Sequence, residues 1–315
     1  MAMAQELASA PRDLTSTGGL WDGLCRARAD HGRWTREGFG PVRSGRGMGE
    51  VVSSDRDHRV VSIDGTEIGW RHSGSGGPAV LLHGTADNGT CWALAGRHLS
   101  ERLTLRSVDR RGRGRSGAGE PYDFEREAED LAAVVGALDE PPHLIAHSYG
   151  AAVALAAASG GLPVRSLVLY EPPITVADHV DSNGLAAECE RALAAGEREQ
   201  VLRIFFRAVG EEPVLDMLKA TPEVFDRFLA DAHTIPRELR AATRFSSIDV
   251  SQITAPTLLI LGTGSPEFFG ESIDALHAAI PHSEIATFEG QAHLGHVLAP
   301  EAFAEIVLGF IASAD

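Results

Sequence analysis

From His58 onward, short apolar runs alternate with amphipathic ones at the lengths of strands and helices. HRVVSI and TEIGWRH flank Asp64-Gly65 and predict a β-hairpin. After the loop SGSGGP, AVLLH reads as a short buried strand. LTLRSVD at 103–109 reads as another, followed by FEREAEDLAAVVGALD, whose Leu131, Val134, Val135 and Leu138 fall on one helical face opposite Arg126 and the acids. PHLIAH, AAVALAAAS, RSLVLY, TLLILG, SIDALHAAI, SEIATFE and PEAFAEIVLGFI continue the alternation. That order predicts an α/β fold with a mostly parallel sheet covered on both faces.

Two stretches depart from it. Between Tyr170 and Thr257 no strand-like run occurs; GLAAECERALAAG, EREQVLRIFFRAVG, EPVLDMLKA, PEVFDRFLADAHT and PRELRAATRF are helical in pattern and separated by Gly and Pro. This predicts a helical cap over residues 172–248, inserted into a core made of residues 51–171 and 249–315. Residues 1–50 are rich in Gly, Arg, Ser and Asp, with apolar residues too thinly spread for a clear period, and read as an N-terminal extension, flexible in character.

The formal charge of −16 repels phosphate backbones and anionic membrane surfaces, so a small-molecule substrate is expected rather than nucleic acid or membrane; a homodimer is compatible. Lys219 is the sole lysine among 28 basic residues, an arginine bias that points to a GC-rich bacterial genome. Cys25, Cys91 and Cys189 form neither a CxxC pair nor an even disulfide set, and no apolar run reaches the length of a membrane span. A cytoplasmic protein is the expectation. No phosphate loop, dinucleotide fingerprint or metal-spaced His/Cys cluster is visible, so neither cofactor nor metal is expected.

The chemistry-bearing stretch is LIAHSYGAAVAL at 144–155, which sets Ser148 between a strand and a helix with small Ala146 and Gly150 two residues to either side. A nucleophile elbow needs that arrangement; a serine that merely caps the helix would also satisfy it. Three further motifs accompany it in order: His83-Gly84 after a strand, the loop DRRGRGRSG at 109–117, and GQAH at 290–293 before the last helix. With these the chain from residue 58 to its end resembles the α/β-hydrolase superfamily, and specifically its capped, serine-nucleophile members.

The resemblance implies an eight-stranded, mostly parallel sheet with helices on both faces. It implies Ser148 as nucleophile, His293 as its base rather than His296 or His147, and an oxyanion hole from the backbone of Tyr149 and Thr85, with Ala86 as the alternative to Thr85. The acid departs from the usual pattern: where relatives carry an Asp after TLLILG, this chain has Gly264 and Ser265. Glu171, after RSLVLY, fills a second known position, as in some haloalkane dehalogenases; Glu267 and Glu271 are rivals. The extra arginines of DRRGRGRSG are expected to be solvated. Trp92, Phe205 and Phe206 are candidates for the pocket wall. These residues suit hydrolysis of an ester, lactone or thioester of an apolar, medium-sized substrate. Hydrolysis of a C–C bond, a non-hydrolytic cyclase or lyase role, and a ligand-binding receptor role are the alternatives.

Overall fold

The computed structural model describes residues 58–314; the N-terminal extension lies outside the described residues. β1 (His58–Val61) and β2 (Glu67–Ser73) form the expected hairpin, with His58 opposite Trp70. The chain turns back through Asp64-Gly65, with Gly65 at φ 88, and the Ser62 N–H closes the turn by donating to the Thr66 carbonyl at 2.8 Å.

There follow β3 (Gly77–Leu82), α1 (Ala93–Leu99), β4 (Leu103–Val108), α2 (Phe124–Gly136), β5 (His143–His147), α3 (Tyr149–Ser159) and β6 (Ser166–Tyr170). After the helical insertion come β7 (Thr257–Gly262), α10 (Glu267–Ala279), β8 (Ser283–Phe288), α11 (Gly295–Leu298) and α12 (Pro300–Ala314). The insertion comprises α4 (Val176–His179), α5 (Ser182–Ala194), α6 (Arg198–Ala208), α7 (Glu212–Lys219), α8 (Pro222–Asp231) and α9 (Ile235–Ala241), with short 3-10 turns.

The eight strands lie in the order β1-β2-β4-β3-β5-β6-β7-β8; β2 runs antiparallel to β1 and β4, and the pairs from β4 through β8 are parallel. Strand alternation builds two cores. Val80, Leu82, Leu144, Ala146, Leu167 and Leu169 face α2 and α3, while Ala79, Leu81, Ile145, Val168 and Tyr170 face α1 and α12. The insertion has a third core around Val201, Leu202, Phe206, Leu215 and Ile235, which Ala86 of the loop after β3 joins. Every parallel strand therefore delivers its C-terminal end to one edge, where open α/β sheets gather their ligands.

Candidate active site

Ser148 follows directly on β5 and precedes α3, with φ 53 and ψ −123. No ordinary helix cap has that conformation, and its side chain makes no capping hydrogen bond to the helix. The sharp turn brings α3 so close to β3 that a Cβ at position 150 would lie 2.4 Å from the His83 carbonyl oxygen, so only glycine fits there. Alanines fill most of the rest of the helix and let it lie against the sheet.

Three side chains meet at this turn. His293 Nε2 lies 2.9 Å from Ser148 Oγ, and His293 Nδ1 lies 2.7 Å from Glu171 Oε2. All three are buried, and Glu171 is wholly so. The other carboxylate oxygen of Glu171 accepts from the Gly262 N–H at 2.7 Å and from the Ser265 hydroxyl at 2.5 Å. Ser265 thus stands where an acid was expected and holds the acid supplied by the neighbouring strand. Glu171 itself has φ 47, and its N–H donates to the Ile260 carbonyl at 3.1 Å, which fixes it against β7.

The rival acids lie elsewhere. Glu267 is exposed at the start of α10, and Glu271 bonds His179 Nε2 at 2.6 Å on the surface. Phe269 from the same helix stacks on the His293 ring, with centroids 4.3 Å apart and planes at 19°.

The neighbouring histidines are occupied differently. His147 Nε2 donates to the His293 carbonyl at 2.9 Å and so braces the histidine loop from below. Full burial, with His296 and His293 close by, holds the His147 pKa well below the ordinary imidazole value. His296 lies three residues beyond His293 but packs under the site, on His147 and Trp92. Burial, aided by His293, lowers its pKa to about 3.

Ser148, Thr85 and Tyr149 line one cavity together with Pro173, Leu185, Phe205, Val209, Leu239, Phe245, Phe268 and Phe269. Tyr149 is the first residue of α3, so its backbone N–H has no partner within the helix and points to the turn. Of the expected wall residues, Phe205 reaches the cavity; Phe206 and Trp92 do not line it. Phe205 and Phe206 are adjacent on α6, where successive side chains diverge by about 100°, and Phe206 packs into the insertion against Phe228. Trp92 ends a 3-10 turn and points into the sheet core, against His296 and Phe303.

The arginine-rich loop corrects a second expectation. Arg110, Arg111 and Arg113 are buried, because each meets a buried carboxylate. Arg111 pairs with Asp130 at 2.7 Å, and Arg110 with Glu127 at 2.8 Å and Glu238 at 2.7 Å. Arg113 also bonds Glu238 and the Thr234 hydroxyl. Burial alone would lower the Arg110 pKa, but Glu127 and Glu238 outweigh it and hold it well above the usual value. Glu238 comes from α9 and lines the cavity, so this loop ties the insertion to the sheet. Sequence reasoning missed Glu238, and also Glu211, whose Oε1 accepts from the Leu294 N–H at 3.1 Å beside His293. Burial raises the Glu211 pKa. Nothing local marks either glutamate, since their partners come from distant parts of the chain.

Comparison with known proteins agrees with this fold. The profile of the Alpha/beta hydrolase family matches residues 79–306. The chain is 28% identical over 250 residues to a non-heme chloroperoxidase, CPO-A1, of Kitasatospora aureofaciens, covering 73% of this chain and 90% of that one. The crystal structure of an alpha/beta hydrolase from Sphaerobacter thermophilus superposes with a TM-score of 0.70 at 32% identity, covering 81% of this chain and all of the other. An esterase, RhEst1, from Rhodococcus superposes at 0.63 with 28% identity over 82% of this chain and 99% of its own. No helix among the described residues is long and apolar enough to cross a membrane. With the elbow, the sheet order and the family profile in agreement over most of its length, the chain belongs to the alpha/beta hydrolase family.

Proposed function

We propose that the protein is a serine hydrolase that cleaves an ester, lactone or thioester of a medium-sized, largely apolar substrate through an acyl-enzyme. The observation that carries this reading is the unbroken hydrogen-bond chain from Ser148 Oγ through His293 to Glu171, opening on an apolar cavity.

In this mechanism Ser148 Oγ attacks the substrate carbonyl carbon while His293 Nε2 takes the hydroxyl proton. The Glu171 carboxylate orients His293 and stabilises the imidazolium; the Gly262 N–H and Ser265 hydroxyl keep its other oxygen engaged. The negative oxygen of the tetrahedral intermediate faces the N–H groups of Tyr149 and Thr85. Collapse breaks the bond to the alcohol or thiol leaving group, which departs with the proton from His293. Water, deprotonated by His293, then attacks the acyl-serine, and Ser148 leaves with its proton restored.

The apolar wall of Leu185, Phe205, Val209, Leu239 and Phe245 supports an apolar acyl or alcohol moiety. An esterase among the structural relatives supports the same bond class. Intact-protein mass after treatment with a fluorophosphonate tests the reading. Wild type is expected to gain one adduct and Ser148→Ala none. A wild type that stays unlabelled while folded, or a Ser148→Ala protein that labels equally, would sink it.

A further inference from the structure

Outside the residues of the proposed reaction, three metal-ligand side chains converge beneath the loop after β3. One ligand atom each from Asp87, Cys91 and His296 lies within 4.8 Å of the others. Cys91 and His296 are buried and Asp87 is half-buried.

His296 is the telling member. It is wholly inaccessible, and neither ring nitrogen has a hydrogen-bond partner. Its ring contacts are Trp92, His147, Tyr170 and Phe303, which offer it an aromatic box. A buried donor and acceptor left unmet on one imidazole are costly, and native interiors rarely leave them so. The other buried histidines nearby do find partners: His83 Nε2 accepts from the Arg110 N–H at 3.0 Å, and His147 Nε2 reaches the His293 carbonyl.

The donor set has its own logic. A thiolate, a carboxylate and a neutral imidazole are the ligands of zinc-type sites, and their two negative charges cancel those of a divalent ion, leaving a neutral complex suited to an interior. The Asp87 carboxylate accepts from the Asn88 N–H at 2.8 Å and from the Cys91 thiol, whose proton a metal would displace. Tetrahedral zinc, with bonds of about 2.0–2.3 Å, sets ligand atoms roughly 3.3–3.8 Å apart, a spacing that the three atoms, all within 4.8 Å of one another, reach by small side-chain shifts.

We propose that Asp87, Cys91 and His296 bind one zinc-type divalent ion, with a fourth position left to solvent, and that the ion clamps the loop carrying Thr85 to the short helix that follows His293. The ion takes no part in acyl transfer: the His147 ring stands between, 4.3 Å from the ring of His296 and 4.5 Å from that of His293. Sequence spacing does not reveal the site, because Asp87 and Cys91 are four residues apart while His296 comes from near the other end of the chain.

The test uses the full chain without an affinity tag, stripped with chelator and titrated with Zn²⁺ and, separately, Co²⁺. Expected are one equivalent of Zn²⁺ per chain, a raised Tm, and a thiolate-to-cobalt charge-transfer band. Cys91→Ser should abolish the band, and Asp87→Asn should weaken Zn²⁺ binding at least tenfold, whereas Cys25→Ser and Cys189→Ser should keep wild-type affinity. Asp87→Asn preserves side-chain shape and carries the test if Cys91→Ser does not fold. Wild type that takes up no stoichiometric Zn²⁺, a cobalt band that survives Cys91→Ser, or unchanged affinity in Asp87→Asn would each overturn the proposal. Fluorophosphonate labelling of Ser148 is read independently of metal, so loss of the clamp would leave the hydrolase reading untouched.

Discussion

The sheet and the helical insertion contribute to the cavity in opposite ways. From the sheet come polar atoms held in tight geometry: Ser148 after β5, Glu171 after β6, Gly262 at the end of β7, and His293 after β8. From the insertion come chiefly apolar walls, Leu185, Phe205, Val209 and Leu239, with Glu238 as the charged exception. Hydrogen-bonded parallel strands fix the spacing of their ends, as the register of Tyr170 against Ile260 does for Glu171. Helices packed on their own core set shape rather than atomic positions. The difference teaches that the sheet fixes atomic positions at the cavity while the insertion mainly gives it shape.

Four substitutions or conditions probe that division. Glu171→Gln keeps the shape but removes the charge that stabilises the imidazolium, and should lower kcat by about 10⁴-fold with little change in KM; steady-state kinetics read this, and a loss under tenfold would return the acid to Glu267 or Glu271. Glu238→Gln strikes the joint between the two regions. It leaves buried Arg113 without its carboxylate and should cost about 3–5 kcal/mol of stability, measured by denaturant unfolding.

Acid should attack the sheet side of the molecule. His83, His147 and His296 have pKa values depressed by burial, so the native state binds fewer protons than the unfolded chain. Stability is therefore fully present above the ordinary imidazole pKa and is lost as pH falls from about 6.5, by about 1.4 kcal/mol per pH unit for each group. Melts between pH 7 and 5 should show the loss. His296→Phe should flatten it by one proton. The smallest effect belongs to the wall: Phe205→Ala should change kcat/KM by about tenfold, and more for large acyl groups than for small ones, with fluorophosphonate labelling retained.

The sequence showed the sheet side more clearly than the cap side, for a physical reason. Strand and elbow signals are local: LIAHSYG carries its own turn, and the end of RSLVLY marked Glu171 as an acid too awkward to bury without a role. The arginine loop was misjudged as solvated because the carboxylates that neutralise it, Glu127, Asp130 and Glu238, lie 17, 19 and 128 residues away from their partners Arg110, Arg111 and Arg110. Helical periodicity marked Phe205 and Phe206 alike as apolar, but only the packed helix shows which of the two turns to the cavity. Trp92, the third candidate for the pocket wall, is directed into the core by the 3-10 turn that it ends, a geometry its own sequence position does not reveal.

Glu171 is followed at once by Pro172-Pro173, and the chain re-enters the sheet at Thr257. Ser148, Glu171, Ser265 and His293 all lie outside that interval. The insertion is consequently spliced between two adjacent strands and supplies none of those four side chains; what it supplies instead is Glu238, which joins it to the arginine loop, and Glu211, which holds the backbone beside His293.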